Sequence, residues 1–456
     1  MARVTISDKY CTVNPLKMSP SIGAALAFLG VDNSMPLLHG SQGCTSFGLV
    51  LFVRHFREAI PMQTTAMSEV ATVLGGLDNL EQALVNIAGR TKPTLIGIST
   101  TGISEIKGDD LRGFLKLIRA NHPELDGIAL VDVSTPDFQG SFQDGWAAAV
   151  TRMVEELVET PQFDTRLSRR VNVLPGCHIT PGDIDELRDI FEAFSLDPTF
   201  LPDLSGSLDG HIPAEFTPTS LGGISVEQIR RMGSACWTVA IGEQMRGAAI
   251  TLEHHTGVPY KLFGRLTGLA ANDGLMEFLS DISGVPVPKK YRRQRSQLID
   301  AMLDGHFYFG GKRVAIAAEP DLLFASSHWL HEMGCKIQAA VTTTESPVLE
   351  SIPVDEVLLG DLEDLEMRSV GADLIVTHSH GRQAAERLQI PLFRVGIPVF
   401  DRLGAGQQVT VGYRGTRNLI FDVGNLLMAN THEPTAETWI PKQQQSRNLV
   451  TLQLVQ

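Results

Sequence analysis

Cys44 is the residue whose type and setting are most suggestive of chemistry. It lies in the segment HGSQGCT (39–45), after a short apolar run and at the predicted start of a helix. The flanking glycines allow backbone to approach a bulky ligand closely, and the amides of a helix N-terminus stabilise a thiolate. Both a cluster ligand and a plain buried cysteine fit this pattern, because one thiolate cannot by itself hold a cluster that usually takes four.

The remaining cysteines and the histidine groups are weaker candidates. No two of the five cysteines form a CxxC pair, so neither a disulfide framework nor a self-contained zinc site is predicted. Cys236 and Cys335 begin apolar runs, as structural cysteines do. Four further groups lack a neighbouring acid or cysteine at ligand spacing and are interpreted as structural or solvent-facing: Cys177-His178, His254-His255, His328 with His331, and His378-Ser379-His380. Cys11 lies in the N-terminal segment.

Nucleotide-binding motifs are broken or missing. Gly310-Gly311-Lys312 ends like a phosphate-binding loop, but His306 stands at the position of its first glycine and Arg313 follows the lysine. The segment also precedes its predicted strand instead of following one. No GxGxxG opens a helix after a strand, so intrinsic dinucleotide binding has no support. The GxSxG motif of a hydrolase nucleophile is also absent.

Charge and hydropathy exclude several classes of protein. The 456 residues include 52 acidic and 38 basic side chains, for a net charge of −14, which opposes a nucleic acid as the main partner. The N-terminal segment has no apolar core of a signal peptide, and no window reaches the roughly 18 apolar residues of a membrane span. We therefore predict a cytoplasmic protein with neither a nucleic-acid nor a membrane partner.

Short β-branched apolar runs alternate with amphipathic stretches along the chain, which predicts an α/β protein with mainly parallel sheets. Near Cys44 the predicted elements are helices at 21–29, 46–58 and 142–158 and strands at 35–38, 94–100 and 127–133. Three Rossmann-like domains are predicted, at 1–165, 166–285 and 286–430, followed by an extended C-terminal arm at 431–456. The second boundary is the proline-containing joint at 284–290.

Short sequence motifs in the first predicted domain resemble those of the β subunit of the nitrogenase molybdenum-iron protein, a member of the nitrogenase component 1 family. They keep the order and spacing of that subunit from about residue 14 to 112: NPLK (14–17), SIGA (21–24), MP (35–36), HGSQGC (39–44), RHFRE (54–58), STTG (99–102), Glu105 and GDDL (108–111). The resemblance implies the same three-domain architecture to about residue 430.

The chain departs from that β subunit at the cluster ligands. The β subunit contributes three cysteines to an eight-iron cluster, and the matching positions here are Ser19, Cys44 and Gly102. A member with one thiolate is similar to the β-like half of the scaffold on which the iron-molybdenum cofactor is completed. The resemblance implies that Cys44 is one ligand of a [4Fe-4S] cluster at a subunit interface, with Ser19, Gly43 and Gly102 around it. Ser19 is equally compatible with an N-cap of the following helix.

The same resemblance implies partners and a process. The α-like subunit NifE would supply the other cluster ligands in an α2β2 heterotetramer and would hold most of the cofactor precursor. NifB would donate that iron-sulfur precursor, and the nitrogenase molybdenum-iron protein would accept the finished cofactor. The nitrogenase iron protein NifH would dock transiently and hydrolyse MgATP. The docking loop of the family matches Leu74-Gly75-Gly76, with Leu74 in place of a phenylalanine.

Two other function classes stay open. One is a redox-active β subunit of a nitrogenase or of a nitrogenase-like oxidoreductase, such as that of dark-operative chlorophyll biosynthesis; Ser19 and Gly102 argue against the nitrogenase subunit itself. The other is a solute- or metal-binding module built from α/β lobes. Such modules are usually exported, which the N-terminal segment does not support.

Overall fold

Three parallel sheets with helices between their strands make up the protein. The computed structural model describes residues 1–160, 167–212 and 214–430. Every pairing between named strands in these residues is parallel, so the predicted α/β class with mainly parallel sheets is confirmed. The predicted arm at 431–456 lies outside the described residues.

The elements are numbered in chain order within the described residues. The strands are β1 (Arg3–Ile6), β2 (Ser34–His39), β3 (Gln63–Thr64), β4 (Leu95–Thr100), β5 (Ala129–Val133), β6 (Leu167–Pro175), β7 (Asp197–Phe200), β8 (Ala235–Ile241), β9 (Tyr260–Phe263), β10 (Arg313–Ala317), β11 (Lys336–Thr342), β12 (Glu356–Leu359), β13 (Leu374–Thr377) and β14 (Leu392–Arg394). The α-helices are α1 (Pro20–Leu29), α2 (Gln42–Phe56), α3 (Glu69–Leu74), α4 (Leu77–Thr91), α5 (Gly102–Lys107), α6 (Leu111–Asn121), α7 (Phe142–Leu157), α8 (Pro181–Ala193), α9 (Val226–Arg230), α10 (Arg246–Thr256), α11 (Leu269–Ser283), α12 (Lys289–Phe309), α13 (Pro320–Glu332), α14 (Leu362–Arg368), α15 (Arg382–Leu388) and α16 (Gly412–Ala429). None of these helices is long and apolar enough to cross a membrane.

The sheets follow one another along the chain with one exception. The first has the strand order β3-β2-β4-β5, the second β7-β6-β8-β9, and the third β1-β12-β11-β10-β13-β14. Strand β1 is the exception, because it pairs in register with β12 from Arg3 beside Glu356 to Ile6 beside Leu359. Lys9 adds an ion pair to Asp361 at 2.5 Å. The predicted domain at 1–165 thus contains a strand that completes the third sheet.

Helix α1 is fully buried and packs against helix α7. All its residues from Pro20 to Leu29 are buried, and it packs against α7 with a glycine of each helix at the contact, Gly23 on α1 and Gly145 on α7. A Cβ at Gly23 would lie 1.9 Å from a backbone oxygen of α7, and one at Gly145 would lie 1.7 Å from a backbone oxygen of α1. This contact fixes the start of α1, where Ser19 stands.

Glu319 joins the first and third parts of the molecule. It follows β10, and its Oε2 accepts hydrogen bonds from Ser141 Oγ at 2.5 Å, Gln143 N at 3.4 Å and Thr343 Oγ1 at 2.9 Å. Burial raises the pKa of Glu319 to about 7, because these bonds only partly offset the loss of water around the carboxylate. The carboxyl group therefore titrates near neutral pH while it holds two parts of the fold together.

Helix α2 begins earlier than the sequence pattern predicts. The predicted start at Ser46 is wrong, since the helix runs from Gln42 after the N-cap residue Ser41. It ends at Phe56 and not at Glu58, because Arg57 adopts a left-handed conformation with φ of 62°. The earlier start places Cys44 inside the first turn.

Candidate functional site

The candidate site lies at the carboxyl edge of the first sheet, where the segments after β2, β4 and β5 meet. Strands β2 and β4 pair with His39 beside Thr100, so both leave the sheet at the same level. The hydroxyls of Thr101 and Ser104 donate to the carbonyl oxygen of His39, at 3.1 and 3.0 Å. These bonds hold the loop that leads into α2 against the loop that leads into α5.

Cys44 lies in the first turn of α2 with its side chain partly exposed. Its Sγ is 3.6 Å from the Oγ of Ser41. The neighbouring Gly43 is exposed, and a Cβ there would meet only Ser41 Oγ, at 3.8 Å. The backbone beside the thiol therefore offers open space to a large ligand, and the amides of the helix N-terminus favour negative charge there.

Ser19 is the N-cap of α1, as the alternative interpretation of this residue predicted. Its Oγ accepts from Ser21 N at 3.3 Å and also donates to a carboxylate oxygen of Asp137. One helical turn after Cys44, a Cβ at Gly48 would lie 2.5 Å from Ile22 Cδ1, so α2 lies against the first turn of α1. Ser19 and Cys44 each lie within about one turn of this contact.

Asp137 links the two positions at which this chain lacks a cysteine. One carboxylate oxygen accepts from Ser19, and the other accepts from the backbone N of Gly102 at 3.0 Å. Sequence reasoning missed this residue, although Asp137 follows β5, the strand beside β4 in the sheet. The structure thus brings Ser19 and Gly102 together through a carboxylate, and a side chain at Gly102 would come within 3.3 Å of it.

Residues 19–428 match the family model of the nitrogenase component 1 type oxidoreductases. The chain belongs to this family. It is 62% identical over 445 residues to the nitrogenase iron-molybdenum cofactor biosynthesis protein NifN of Bradyrhizobium diazoefficiens, a match that covers 96% of this chain and 95% of that one. The protein of the same name from Klebsiella pneumoniae is 39% identical, over 95% of this chain and 94% of that one. These relatives confirm the predicted place in the cofactor-biosynthesis branch of the nitrogenase component 1 family.

Solved structures agree with the family assignment. The chain matches a chain of nitrogenase Cp1 at pH 6.5 with a TM-score of 0.89 and 31% identity, covering 96% of this chain and 98% of that one. A chain of nitrogenase Cp1 at pH 5, only 15% identical, shares the fold with a TM-score of 0.68, over 97% of this chain and 93% of that one. The arrangement of three parallel sheets is therefore that of nitrogenase component 1 chains.

Three of the other four cysteines of this family member are buried or half-buried in the fold. Burial raises the pKa of Cys177, Cys236 and Cys335, the last to about 12. The thiol of Cys236 donates to Arg170 O at 3.1 Å, which accords with the structural interpretation. Cys11 is exposed in the N-terminal segment. Cys44 thus differs from the three buried or half-buried thiols in standing beside open backbone at a helix start.

The histidine groups do not assemble a metal site. Within residues 1–160, 167–212 and 214–430, no three His, Cys, Asp or Glu side chains are placed to hold a metal ion. His254 is exposed, His328 bonds Phe324 O at 2.9 Å, and buried His378 bonds Leu16 O at 3.4 Å. Burial lowers the pKa of His378 to about 4. These surroundings accord with the structural and solvent-facing interpretations of the three residues, which stay predictions.

The segment Leu74-Gly75-Gly76, for which the resemblance predicts a docking role, runs from the last residue of α3 through the turn that leads into α4. Gly75 has φ of 115°, a conformation that favours glycine. Val70 and Val73 on α3 and Ile106 on α5 expose 66%, 70% and 79% of their surface beside this turn. The side chain of Leu74 lies outside the described residues.

Two further features lie away from Cys44. The segment Gly310-Gly311-Lys312 precedes β10, and Lys312 pairs with Asp373 at 3.3 Å, so the rejection of a phosphate loop is supported.

A cavity of about 560 Å³ is lined by residues that include His55 and His178. His55 is eleven residues after Cys44 on α2, about 16 Å along the helix. Burial lowers the pKa of both histidines to about 4, so their rings are neutral at pH 7.

Proposed function

We propose that this chain is the β-like subunit of the scaffold complex on which the iron-molybdenum cofactor of nitrogenase is assembled. The observation that carries the proposal is Cys44, a partly exposed thiol beside open backbone in a family member whose described residues hold no complete ligand set. The name of the NifN relatives supports the same process. On this proposal the chain is a maturation protein of the cytoplasm.

Cys44 would bind one iron of a [4Fe-4S] cluster that a partner chain completes. A cubane cluster takes about four ligands, and a single thiolate in this chain requires the others to come from a second polypeptide. Ser19 and Gly102 are committed to Asp137 and leave Cys44 as the ligand from this side. When bound, the cluster would supply one-electron redox chemistry. The residues of this chain would bind it through the Cys44 sulfur and stabilise its negative charge with the α2 amides.

The partner would be the α-like subunit NifE in an α2β2 heterotetramer. Helix α2 supports this interface, because Phe47 and Val50 follow Cys44 on the same helix and expose 59% and 54% of their surface. Exposed apolar side chains around a polar functional group are typical of protein interfaces. The partner would hold most of the cofactor precursor.

The scaffold would act between several proteins. NifB would donate the iron-sulfur precursor, and the molybdenum-iron protein would receive the mature cofactor. The iron protein NifH would dock near Leu74-Gly75-Gly76 and hydrolyse MgATP, since no phosphate loop follows a strand in this chain. The exposed apolar residues beside that turn, Val70 and Val73, support a docking role.

The decisive experiment compares Cys44→Ala with Cys11→Ala, which removes an exposed cysteine from the N-terminal segment. Each variant is co-expressed with NifE without oxygen, and the complex is analysed by native mass spectrometry, iron content and EPR. We expect Cys44→Ala to assemble but to lose the interfacial cluster signal, and Cys11→Ala to match the wild type. An assembled Cys44→Ala complex with undiminished cluster content would refute the proposal.

The likeness to nitrogenase Cp1 favours a second candidate, a redox-active β subunit of a nitrogenase-like oxidoreductase. The two candidates differ in turnover. Acetylene reduction by the purified complex with the iron protein and MgATP would favour the oxidoreductase, whereas cofactor maturation without acetylene reduction would favour the scaffold.

A further inference from the structure

His39 is a fully buried imidazole at the end of β2, immediately before the loop that leads to Cys44. Its Nδ1 lies 3.2 Å from Thr65 Oγ1, and its Nε2 lies 3.4 Å from Asp109 Oδ2. Thr65 Oγ1 in turn accepts from the backbone N of Gly40 at 3.0 Å. On the other side, Asp109 Oδ2 accepts from the backbone N of Gly76 at 3.2 Å.

The donors and acceptors along this path fit one another. Burial lowers the pKa of His39, and the nearby carboxylate of Asp109 only partly offsets this, so the ring carries one proton at neutral pH. A carboxylate only accepts hydrogen bonds, which assigns that proton to Nε2. Nδ1 then accepts from the Thr65 hydroxyl, which accepts from Gly40. A continuous path of hydrogen bonds therefore runs from the backbone of Gly76 to the backbone of Gly40.

Steric contact reinforces the path at the turn. A Cβ at Gly76 would lie 2.5 Å from His39 Cε1, 2.7 Å from His39 Nε2 and 2.9 Å from Asp109 Oδ2. The backbone at this residue has φ of −92°, which any residue adopts, so the glycine is required by space and not by conformation. By contrast, a Cβ at Gly89, on the helix that follows this turn, would meet nothing within 4 Å.

We propose that His39 and Asp109 are positioning residues that couple the Gly75–Gly76 turn to the segment from Gly40 to Cys44, which contains the start of α2. A displacement of the turn moves the imidazole or breaks its bond to Asp109, and the change reaches Gly40 through Thr65. Cys44 lies four positions after Gly40 in the chain. This inference rests on the proposed function for its meaning, since it makes docking of the iron protein at the turn a means of adjusting the cluster ligand.

The first test needs no cluster, and its outcome is therefore independent of the proposed function. Hydrogen–deuterium exchange of the full-length chain is compared for wild type, Gly76→Ala and the matched control Gly89→Ala. We expect about tenfold faster exchange in the segment at 40–44 for Gly76→Ala, corresponding to the loss of about 1.4 kcal/mol of local protection, and no change for Gly89→Ala. Equal exchange in the two variants would overturn the coupling.

Asp109→Ala provides a second variant, which removes both bonds to the carboxylate without adding volume. It should accelerate exchange at 40–44 in the same way, and protection there at the wild-type level would count against the proposal even if Gly76→Ala does not fold. In the complex, we expect the midpoint potential of the interfacial cluster to shift when the iron protein is added to wild type and Gly89→Ala, and not when it is added to Asp109→Ala. A shift of the same size in all three would exclude coupling through Asp109.

Discussion

Replacement of Glu319 by glutamine should change how the stability of the protein depends on pH. All three hydrogen bonds to this side chain end on Oε2, from Ser141, Gln143 and Thr343. The amide oxygen of glutamine can take the place of Oε2 and keep these bonds. Glu319→Gln therefore removes the titration of the group while it preserves the contacts between the first and third parts of the fold.

The size of the effect follows from the two pKa values of the carboxyl group. Its folded pKa of about 7 lies above the ordinary pKa of 4.5 for a glutamate carboxyl group. The folded state therefore binds more protons between these values, and the stability associated with the protonated form is lost as pH rises through about 7. Between pH 6 and pH 8 the wild type should lose about 1.3 kcal/mol that Glu319→Gln does not lose.

Thermal unfolding of the full-length chain at pH 6 and pH 8 measures this difference. A change of about 1.3 kcal/mol corresponds to about 1.4 °C if the chain unfolds as one unit and to about 4 °C if a domain of about 150 residues unfolds alone. Glu253→Gln, at an exposed position on α10, is the control for the same chemical change. If Glu319→Gln and wild type differ by the same amount at both pH values, the carboxyl group is not protonated in the folded protein near pH 6, and the reasoning fails.

Three further substitutions, one of them with a matched control, test the packing and the site. Gly23→Ala should destabilise the chain by about 3 kcal/mol in urea unfolding, because the added Cβ would meet a backbone oxygen at 1.9 Å. The control Gly274→Ala, whose Cβ would meet nothing within 4 Å, should leave the stability unchanged or raise it. Phe28→Ala, at a position with no exposed surface, should cost about 4 kcal/mol in the same assay; a cost below about 1 kcal/mol would contradict the packing described. Asp137→Ala should leave the iron content of the complex unchanged and accelerate amide exchange at Gly102 about tenfold; loss of iron would instead make this carboxylate part of the cluster site.

The elements around the site were predictable where the signal is local. The apolar run of β4 predicts a strand at 94–100, and the structure has one at Leu95–Thr100, buried on both faces. Ser19 was predictable as an N-cap because the residue type and the following apolar helix are neighbours in sequence. The start of α2 at Gln42 was not predictable, because Gly43 and Thr45 are weak helix formers and the Ser41 side chain makes no capping hydrogen bond. Packing of α2 against α1, at Gly48 and Ile22, involves residues that are distant in sequence.

The contacts that complete the site depend on residues far apart in sequence. Asp137 reaches Ser19 across 118 positions, and His39 meets Asp109 across 70. No periodicity or motif reports such pairs, since they arise only when the folded chain brings segments that are distant in sequence to one edge of the first sheet. Cys44, Ser19, Gly43 and Gly102 could be named from sequence, whereas Asp137 and the contact between His39 and Asp109 could not.

The pairing of β1 with β12 has a consequence for the order of synthesis. Arg3 and Glu356 are 353 positions apart, so β1 leaves the ribosome long before its neighbour in the sheet exists. At about 5 to 20 residues per second, the interval is roughly 18 to 70 s. During that interval the first four-stranded sheet can form, while β1 cannot yet pair with β12. Strand β1 is thus among the last segments to pair, and substitutions that weaken it would affect the third sheet and not the first.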